Sequence, residues 1–363
     1  MAKLGDIATI QSGGTPARSI AEYWEDGTIP WVKISDIKSK HLNQTEEMIT
    51  EAGLENSSAK IFPKGTILYT IFATLGETSI LDINAATNQA IAGISITDSR
   101  VLPDYLYYYL LSQKIHVQKI GRGVAQNNIN MKLLRDFDVP LPSKEAQLNI
   151  IEQLNRVTEL LFLRKQQLTK LDELIKARFV ELTENVNTVP TRMGDIATYI
   201  NGYAFKPTDW KESGLPIIRI QNLNDATARY NYFDGKIDSK YLVTTGDILV
   251  SWATHLEAYI WNGNRAWLNQ HIFKVLFNKI PINKIYFVYA TEDALRQAFK
   301  NAHGFKPTME HIKRSDFENA IVKLPPMEIQ NQFADFVAEV DKSKLLAELF
   351  AQNACILAEN RSK

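Results

Sequence analysis

Between Pro142 and Pro190 the apolar positions keep a seven-residue beat, with Leu154, Leu161, Leu168, Ile175 and Leu182 in step and Val157 and Leu171 at companion positions three residues on. That spacing lines one side of a helix and is the seam of a coiled coil. No Gly or Pro interrupts the stretch, so the pattern predicts one helix over residues 143–185, about 60 Å long at the α-helical rise. Arg164 and Arg178 fall on the same seam, where a charge costs stability and can fix register. After Pro326 the beat returns more softly, in Phe333, Val340, Ala347 and Ala354 with Phe336, Ser343, Phe350 and Leu357 alongside. The two helices are expected to pair with each other in antiparallel fashion. The plainer possibility is that each is an amphipathic helix lying on a globular core.

Elsewhere the period shortens. Runs rich in β-branched and aromatic residues at 31–34, 66–72, 91–96, 217–220 and 248–252 predict strands bounded by Gly, Pro, Asn and Asp. Apolar residues at helical spacing over 104–120, just after Pro103, and over 283–299 predict one helix near the end of each globular stretch. Residues 188–192, with Pro190 inside, are expected to be a short linker.

The chain also repeats itself. Leu4-Gly5-Asp6-Ile7 returns as Met193-Gly194-Asp195-Ile196, Ile29-Pro30-Trp31-Val32-Lys33-Ile34 as Leu215-Pro216-Ile217-Ile218-Arg219-Ile220, and Gly65-Thr66-Ile67-Leu68 as Gly246-Asp247-Ile248-Leu249. Asn88-Gln89-Ala90-Ile91 returns as Asn269-Gln270-His271-Ile272, Asp136-Phe137 as Asp316-Phe317, and Val139-Pro140-Leu141-Pro142 as Val322-Lys323-Leu324-Pro325. Six matches in one order mean a duplication. The expected layout is α+β: a globular domain over 1–142, a long helix over 143–187, a second globular domain over 188–325 and a second long helix over 326–363.

Composition narrows the class. An apolar share of 45% with 23% charged residues is that of a globular protein. The one cysteine, Cys355, excludes a disulfide framework and a cysteine-rich zinc site. No apolar signal core opens the chain and no run of 18 apolar residues occurs, which leads us to expect a cytoplasmic protein without a membrane span. Net charge is zero, but basic and acidic side chains number 13 and 15 over residues 1–142, 7 and 7 over 143–185, 17 and 13 over 186–325, and 4 and 6 over 326–363. The second globular stretch is mildly basic and the first is not. If the protein binds DNA, a partner has to share the phosphate contact.

A search for chemistry finds no catalytic constellation. There is no dinucleotide or phosphate-loop glycine motif, no Pro-Pro-aromatic tetrapeptide of the amino methyltransferases, no Glu-x-Lys of metal-dependent nucleases, and no histidine pair at ligand spacing. No cofactor or metal is expected. What both halves do carry are loops of Gly, amides and isolated bases. Gln11 to Arg18, with Gly13, Gly14 and Thr15, corresponds to Asn201 to Lys206; Gly121 to Asn128, with Arg122 and Gln126, corresponds to Ala302 to Thr308, with Lys306. Glycine lets backbone N–H groups approach phosphate, Asn and Gln can read adenine, and Arg or Lys can read guanine.

The ordered set of motifs resembles the specificity subunit of type I restriction-modification systems over the whole chain. It rests on Leu4–Ile7 and its repeat, Pro30-Trp31-Val32-Lys33-Ile34-Ser35-Asp36-Ile37, Gly65–Leu68, the Val139–Pro142 junction ahead of Glu145 and Gln147, and Leu324-Pro325-Pro326-Met327-Glu328-Ile329-Gln330. The resemblance implies two target-recognition domains, each reading one half of a split double-stranded DNA site. It also implies an antiparallel coil that spaces them and docks two modification (methyltransferase) subunits, in a complex with restriction (helicase-nuclease) subunits. The subunit itself would catalyse nothing. The residues expected to face DNA are Gly13, Gly14, Thr15, Arg18, Lys33, Ser35, Arg122, Gln126 and Asn128 in the first domain, and Lys206, Arg219, Gln221, Asn222 and Lys306 in the second. Pro216–Asn222 matches the first-domain strand less closely, with Ile217 where Trp31 stands. A duplicated coiled-coil adaptor that binds only protein is the other reading, suggested by the zero net charge.

Overall fold

The structure is a computed structural model and describes residues 1–121, 128–184, 186–225, 227–303 and 312–361, with side chains at all of these except 120, 121, 301–303 and 350–361. It divides into two compact units, residues 1–163 together with the chain from 351, and residues 164–350.

In the first unit, Ala2–Lys3 pairs antiparallel with Asp138–Val139 and ties the start of the globular part to its end. The main sheet has the strand order Ala8–Ser12, Ile91–Ile96, Ile67–Thr70, Thr78–Leu81, His41–Leu42, antiparallel except for the last pair. Its inner face packs Ile10, Ile67, Tyr69, Ile80 and Ile94 against Leu106 and Leu110 of the helix Pro103–Ser112. A second sheet runs Glu47–Ile49, Ile29–Val32, Ala85–Thr87, Ile61–Phe62, with a parallel pair at its centre.

The second unit repeats this plan without a counterpart of the His41–Leu42 strand. Its main sheet is Thr198–Asn201, Ile272–Leu276, Ile248–Ser251, Glu257–Ile260, and its second sheet Asn231–Phe233, Leu215–Ile218, Ala266–Leu268, Leu242–Val243, again parallel in the middle. The fold is α+β with two tandem mixed-sheet domains.

Two expectations change. Residues 189–192 are not a linker: Val189–Arg192 pairs antiparallel with Ile321–Leu324, Pro190 opposite Lys323, as the counterpart of Ala2–Lys3. A two-stranded ribbon has edges on which Pro loses no ladder bond. The helix over 104–120 is also broken, into Pro103–Ser112 and Lys114–Gly121. The Gln113 N–H is shared between the Tyr109 and Leu110 carbonyls, and Val117 beyond it is fully buried. The counterpart Lys284–His303 runs unbroken.

The first long helix is Lys144–Glu184, 41 residues, and the second Met327–Arg361, 35 residues. A buried glutamine locks the start of each to its own globular part. The Gln147 side chain accepts from the Leu102 N–H (2.9 Å) and donates to the carbonyls of Arg100 (2.9 Å) and Pro142 (3.0 Å). Gln330 accepts from the Asn283 N–H (2.9 Å) and donates to the Pro325 carbonyl (2.9 Å). An unmet buried amide would cost about 1–3 kcal/mol, so these bonds hold the helix in one direction.

Within the second unit the two helices run antiparallel, because Asp172 meets Lys344 at 2.6 Å while Phe179, one heptad on, stacks edge-on Phe333, eleven residues back. Ile175, Leu182, Phe333, Val337 and Val340 share one core with Tyr286, Phe287 and Phe317. Arg178 stays at the margin, 6.0 Å from the Phe336 ring and bonded to Glu181. Among the described residues no helix is long and apolar enough to cross a membrane.

Candidate nucleic-acid interface

Strand direction gathers the candidate residues. Ile29–Val32 and Ala85–Thr87 are parallel, so their C-terminal ends lie together, and the chain leaving them carries Lys33 and Ser35, and Asn88 and Gln89. Ile91–Ile96 starts from that same end and runs antiparallel to both Ala8–Ser12 and Ile67–Thr70. Their ends therefore arrive there too, bringing Gly13, Gly14 and Thr15, and Ile71 and Phe72. Asn128 joins through a bridge to Phe72. One rim of the unit thus collects loops from five places in the sequence, which is where a two-sheet fold exposes side chains without burying backbone. The second unit builds the same rim from Gly202 and Tyr203, Arg219 to Asn222, Asn269 to His271, and Trp252.

On the first rim the charges are paired. Lys33 Nζ lies 2.9 Å from Glu46 Oε2 and 2.9 Å from Glu47 Oε1, and Arg18 Nη1 lies 2.5 Å from Glu47 Oε2. The Arg18 guanidinium covers Trp24 at 3.7 Å and Trp31 at 4.9 Å, measured to the ring centroids. Bonds to Glu47 and Glu46 push the Lys33 ammonium up, and the Lys33 bond holds the Glu46 carboxyl down. Burial raises Glu47, but its bonds to Lys33 and Arg18 outweigh that and leave it below the ordinary carboxylate value.

On the second rim, Arg219 stands where Lys33 stands on the first. Its guanidinium lies 5.2 Å from the Trp210 ring and donates to Asn231 Oδ1 at 3.2 Å. Asn231 pairs with Ile217 as Glu47 pairs with Trp31, so the two occupy one register position.

Several expected contacts take a different role. The Gly13 and Gly14 N–H groups donate to the carbonyls of Ile91 (3.0 Å) and Thr87 (2.9 Å) and are not free for phosphate. These glycines are there for close packing, since a Cβ at Gly13 would stand 2.0 Å from Thr87 Oγ1 and one at Gly14 2.2 Å from the Ser58 carbonyl carbon. The Thr15 hydroxyl donates to Gln89. Asn222 is 6% exposed and saturated: it accepts from the Arg219 N–H (3.1 Å) and donates to the carbonyls of Ala228 (3.2 Å) and Arg229 (3.3 Å), so it caps a helical turn and offers no edge to a base. Asp36 caps the equivalent turn after Lys33. Gln221 reaches the Arg229 carbonyl at 3.4 Å, while Ser35 and Lys206 are exposed. Arg122, Gln126 and Lys306 lie outside the described residues.

Sequence reasoning passed over Trp24, Trp31, Glu46, Glu47, Trp210 and Asn231. It also left Asn88-Gln89 and Asn269-Gln270 off the site, although their retention through the duplication was a usable signal.

A family model for the type I restriction modification DNA specificity domain matches residues 1–173 and 185–351. The chain belongs to the type I restriction-modification DNA specificity family. Among members of that family, the MjaIX specificity subunit of Methanocaldococcus jannaschii is 26% identical over 378 residues, covering 92% of this chain and 85% of that protein. The EcoR124I/EcoR124II specificity subunit of Escherichia coli is 29% identical over 161 residues, 42% of this chain and 39% of that one, about the size of a single unit. A solved structure described as the basis of complex assembly and conformational transition of the type I R-M system superposes with a TM-score of 0.65 at 16% identity, covering 99% of this chain and 95% of that one. That likeness concerns the fold of the specificity family.

Proposed function

We propose that this chain is the non-catalytic DNA sequence-specificity subunit of a type I restriction-modification complex acting in the cytoplasm. The globular parts, residues 1–142 and 188–325, each read one half of a bipartite double-stranded site. The long helices over 143–187 and 326–363 set the spacing of the two half-sites and dock two modification subunits, with restriction subunits completing the complex. The observation that carries this reading is the duplicated rim, which presents a different set of polar and aromatic side chains in each unit on one shared framework. Two such readers on one chain fit two unrelated short words separated by an unspecific gap. The adaptor reading leaves the paired rims without a purpose.

The residues proposed to face DNA are Thr15, Arg18, Lys33, Ser35, Arg122, Gln126 and Asn128 for one word and Lys206, Arg219, Gln221 and Lys306 for the other. Replacing Arg122, Gln126 or Asn128 by Ala should weaken recognition of one half-site only, and replacing Lys306 the other only, by roughly 1–3 kcal/mol for a direct base contact. The test of the spacer is to insert four residues into both long helices and map the methylated site of cells carrying the complex. The gap should lengthen by one or two base pairs with both words unchanged. Changed words, or an unchanged gap, would overturn the assignment of the helices as the ruler.

A further inference from the structure

We infer that each half-site contains a guanine read in the major groove by an arginine held against a tryptophan, Arg18 in the first unit and Arg219 in the second. The inference deepens the half-site reading above and rests on it. Its basis is that the two units reach one device from different sequence positions. Arg18 arrives from the loop after Ala8–Ser12 and Arg219 from the end of Leu215–Ile218, yet each guanidinium lies near an indole ring and is bonded to the residue at the same register position, Glu47 or Asn231. Descent alone does not bring this about, because the residue equivalent to Arg219 is Lys33, which has no such stacking partner among the described contacts.

A guanidinium has five N–H donors in one plane. Trp24 fixes that plane for Arg18, Glu47 takes up one edge, and the side chain remains 52% exposed, so the free edge is presented with its direction already set. A fixed fork suits the coplanar O6 and N7 acceptors of guanine, the commonest specific contact of arginine in the major groove. The first rim is poorly made for phosphate, because Arg18 is paired with Glu47 and Lys33 with Glu46 and Glu47, so a phosphate there would face two carboxylates.

The test uses the full chain assembled with its modification subunits and duplexes carrying its methylated site, in which each guanine is replaced in turn by 7-deazaguanine, which lacks N7. For the wild type, one substitution in each half-site should weaken binding about tenfold, which is about 1.4 kcal/mol. Arg18→Ala and Arg18→Gln should bind natural and substituted first half-sites equally while still responding about tenfold to the substitution in the second; Arg219→Ala should show the reverse. The retained response in the other half confirms that the variant is folded. Equal weakening of all duplexes by Arg18→Ala, with a shallower salt dependence, would make Arg18 a phosphate contact and overturn the inference. A variant that still senses every 7-deazaguanine as the wild type does would overturn it too, leaving the half-site reading intact. If Arg18→Ala or Arg219→Ala instead abolished the 7-deazaguanine response in both half-sites alike, the half-site reading itself would fall.

Discussion

The two rims share a framework and differ in how they hold a cation. At one register position the first unit has Glu47 and the second Asn231. Glu47 and Glu46 pair with Arg18 and Lys33, and Glu46 with Lys38 as well, whereas Asn231 orients Arg219 through its amide and no carboxylate among the described residues forms an ion pair with it. The same contrast is visible in composition, where residues 1–142 carry 13 basic and 15 acidic side chains and residues 186–325 carry 17 and 13. On the proposed reading, one register position separates a rim whose cations are paired with carboxylates from one whose arginine is held by an amide, without moving a strand. Specificity and affinity are separate properties of the surface.

The largest effect is expected where the rims agree. A Cβ at Gly13 would stand 2.0 Å from Thr87 Oγ1 and 2.3 Å from the Thr87 carbonyl oxygen, and one at Gly202 2.0 Å from the Asn269 carbonyl oxygen. Gly13→Ala and Gly202→Ala should each lower stability by about 1–3 kcal/mol, as overpacking does, measured by denaturant unfolding. A large loss at one position and none at the other would break the equivalence of the two frameworks.

A smaller effect is expected where the rims differ. Glu47→Asn should release Lys33 and Arg18 toward the DNA backbone, raising affinity for unrelated duplexes and steepening the dependence of log K on log salt by roughly 0.9, one phosphate's worth. Asn231→Glu should flatten it by a similar amount. Binding titrations at several salt concentrations read both. If the two substitutions had the same sign, the charge at this position would not be what separates the rims.

Much of this was legible in the chain. The seven-residue beat forecast the long helices because periodicity is local, and Ile91–Ile96 is a strand over the residues its β-branched run indicated. The duplication was legible because six short motifs kept their order. What the sequence concealed depends on pairing across distance. Arg18 and Glu47 are 29 residues apart and meet only because Glu47–Ile49 folds back on Ile29–Val32. Val189–Arg192 looked like a linker because its partner, Ile321–Leu324, lies more than 120 residues later. Gly13 and Gly14 suggested free N–H groups because nothing local shows that Ile91 and Thr87 accept from them. Asn222 looked like a base reader because the turn that saturates its amide is closed by Ala228 and Arg229.

The smallest effect is expected from acid. Glu46 and Glu47 both titrate below the ordinary carboxylate value of 4.5, chiefly through the Lys33 bond for Glu46 and, for Glu47, through bonds to Lys33 and Arg18 that outweigh burial. A carboxyl whose folded pKa is depressed contributes stability that is complete above its unfolded pKa and is lost as pH falls through the folded one. Lys33 is shifted upward from 10.5, so its share is complete below that value and lost only as pH rises beyond it. The first rim should therefore be unchanged from pH 6 to 8 and should open only below about 4.5, while Arg219 is held by an amide and not by a carboxylate. Fluorine NMR of the 5-fluorotryptophan-labelled protein separates the two, since Trp24 and Trp31 lie beneath Arg18 and Trp210 beside Arg219. The Trp24 and Trp31 signals should move together on acidification below pH 4.5 and the Trp210 signal should stay. A common midpoint for all three would mean that the rims respond as one, and that the exchange of Glu47 for Asn231 does not set them apart.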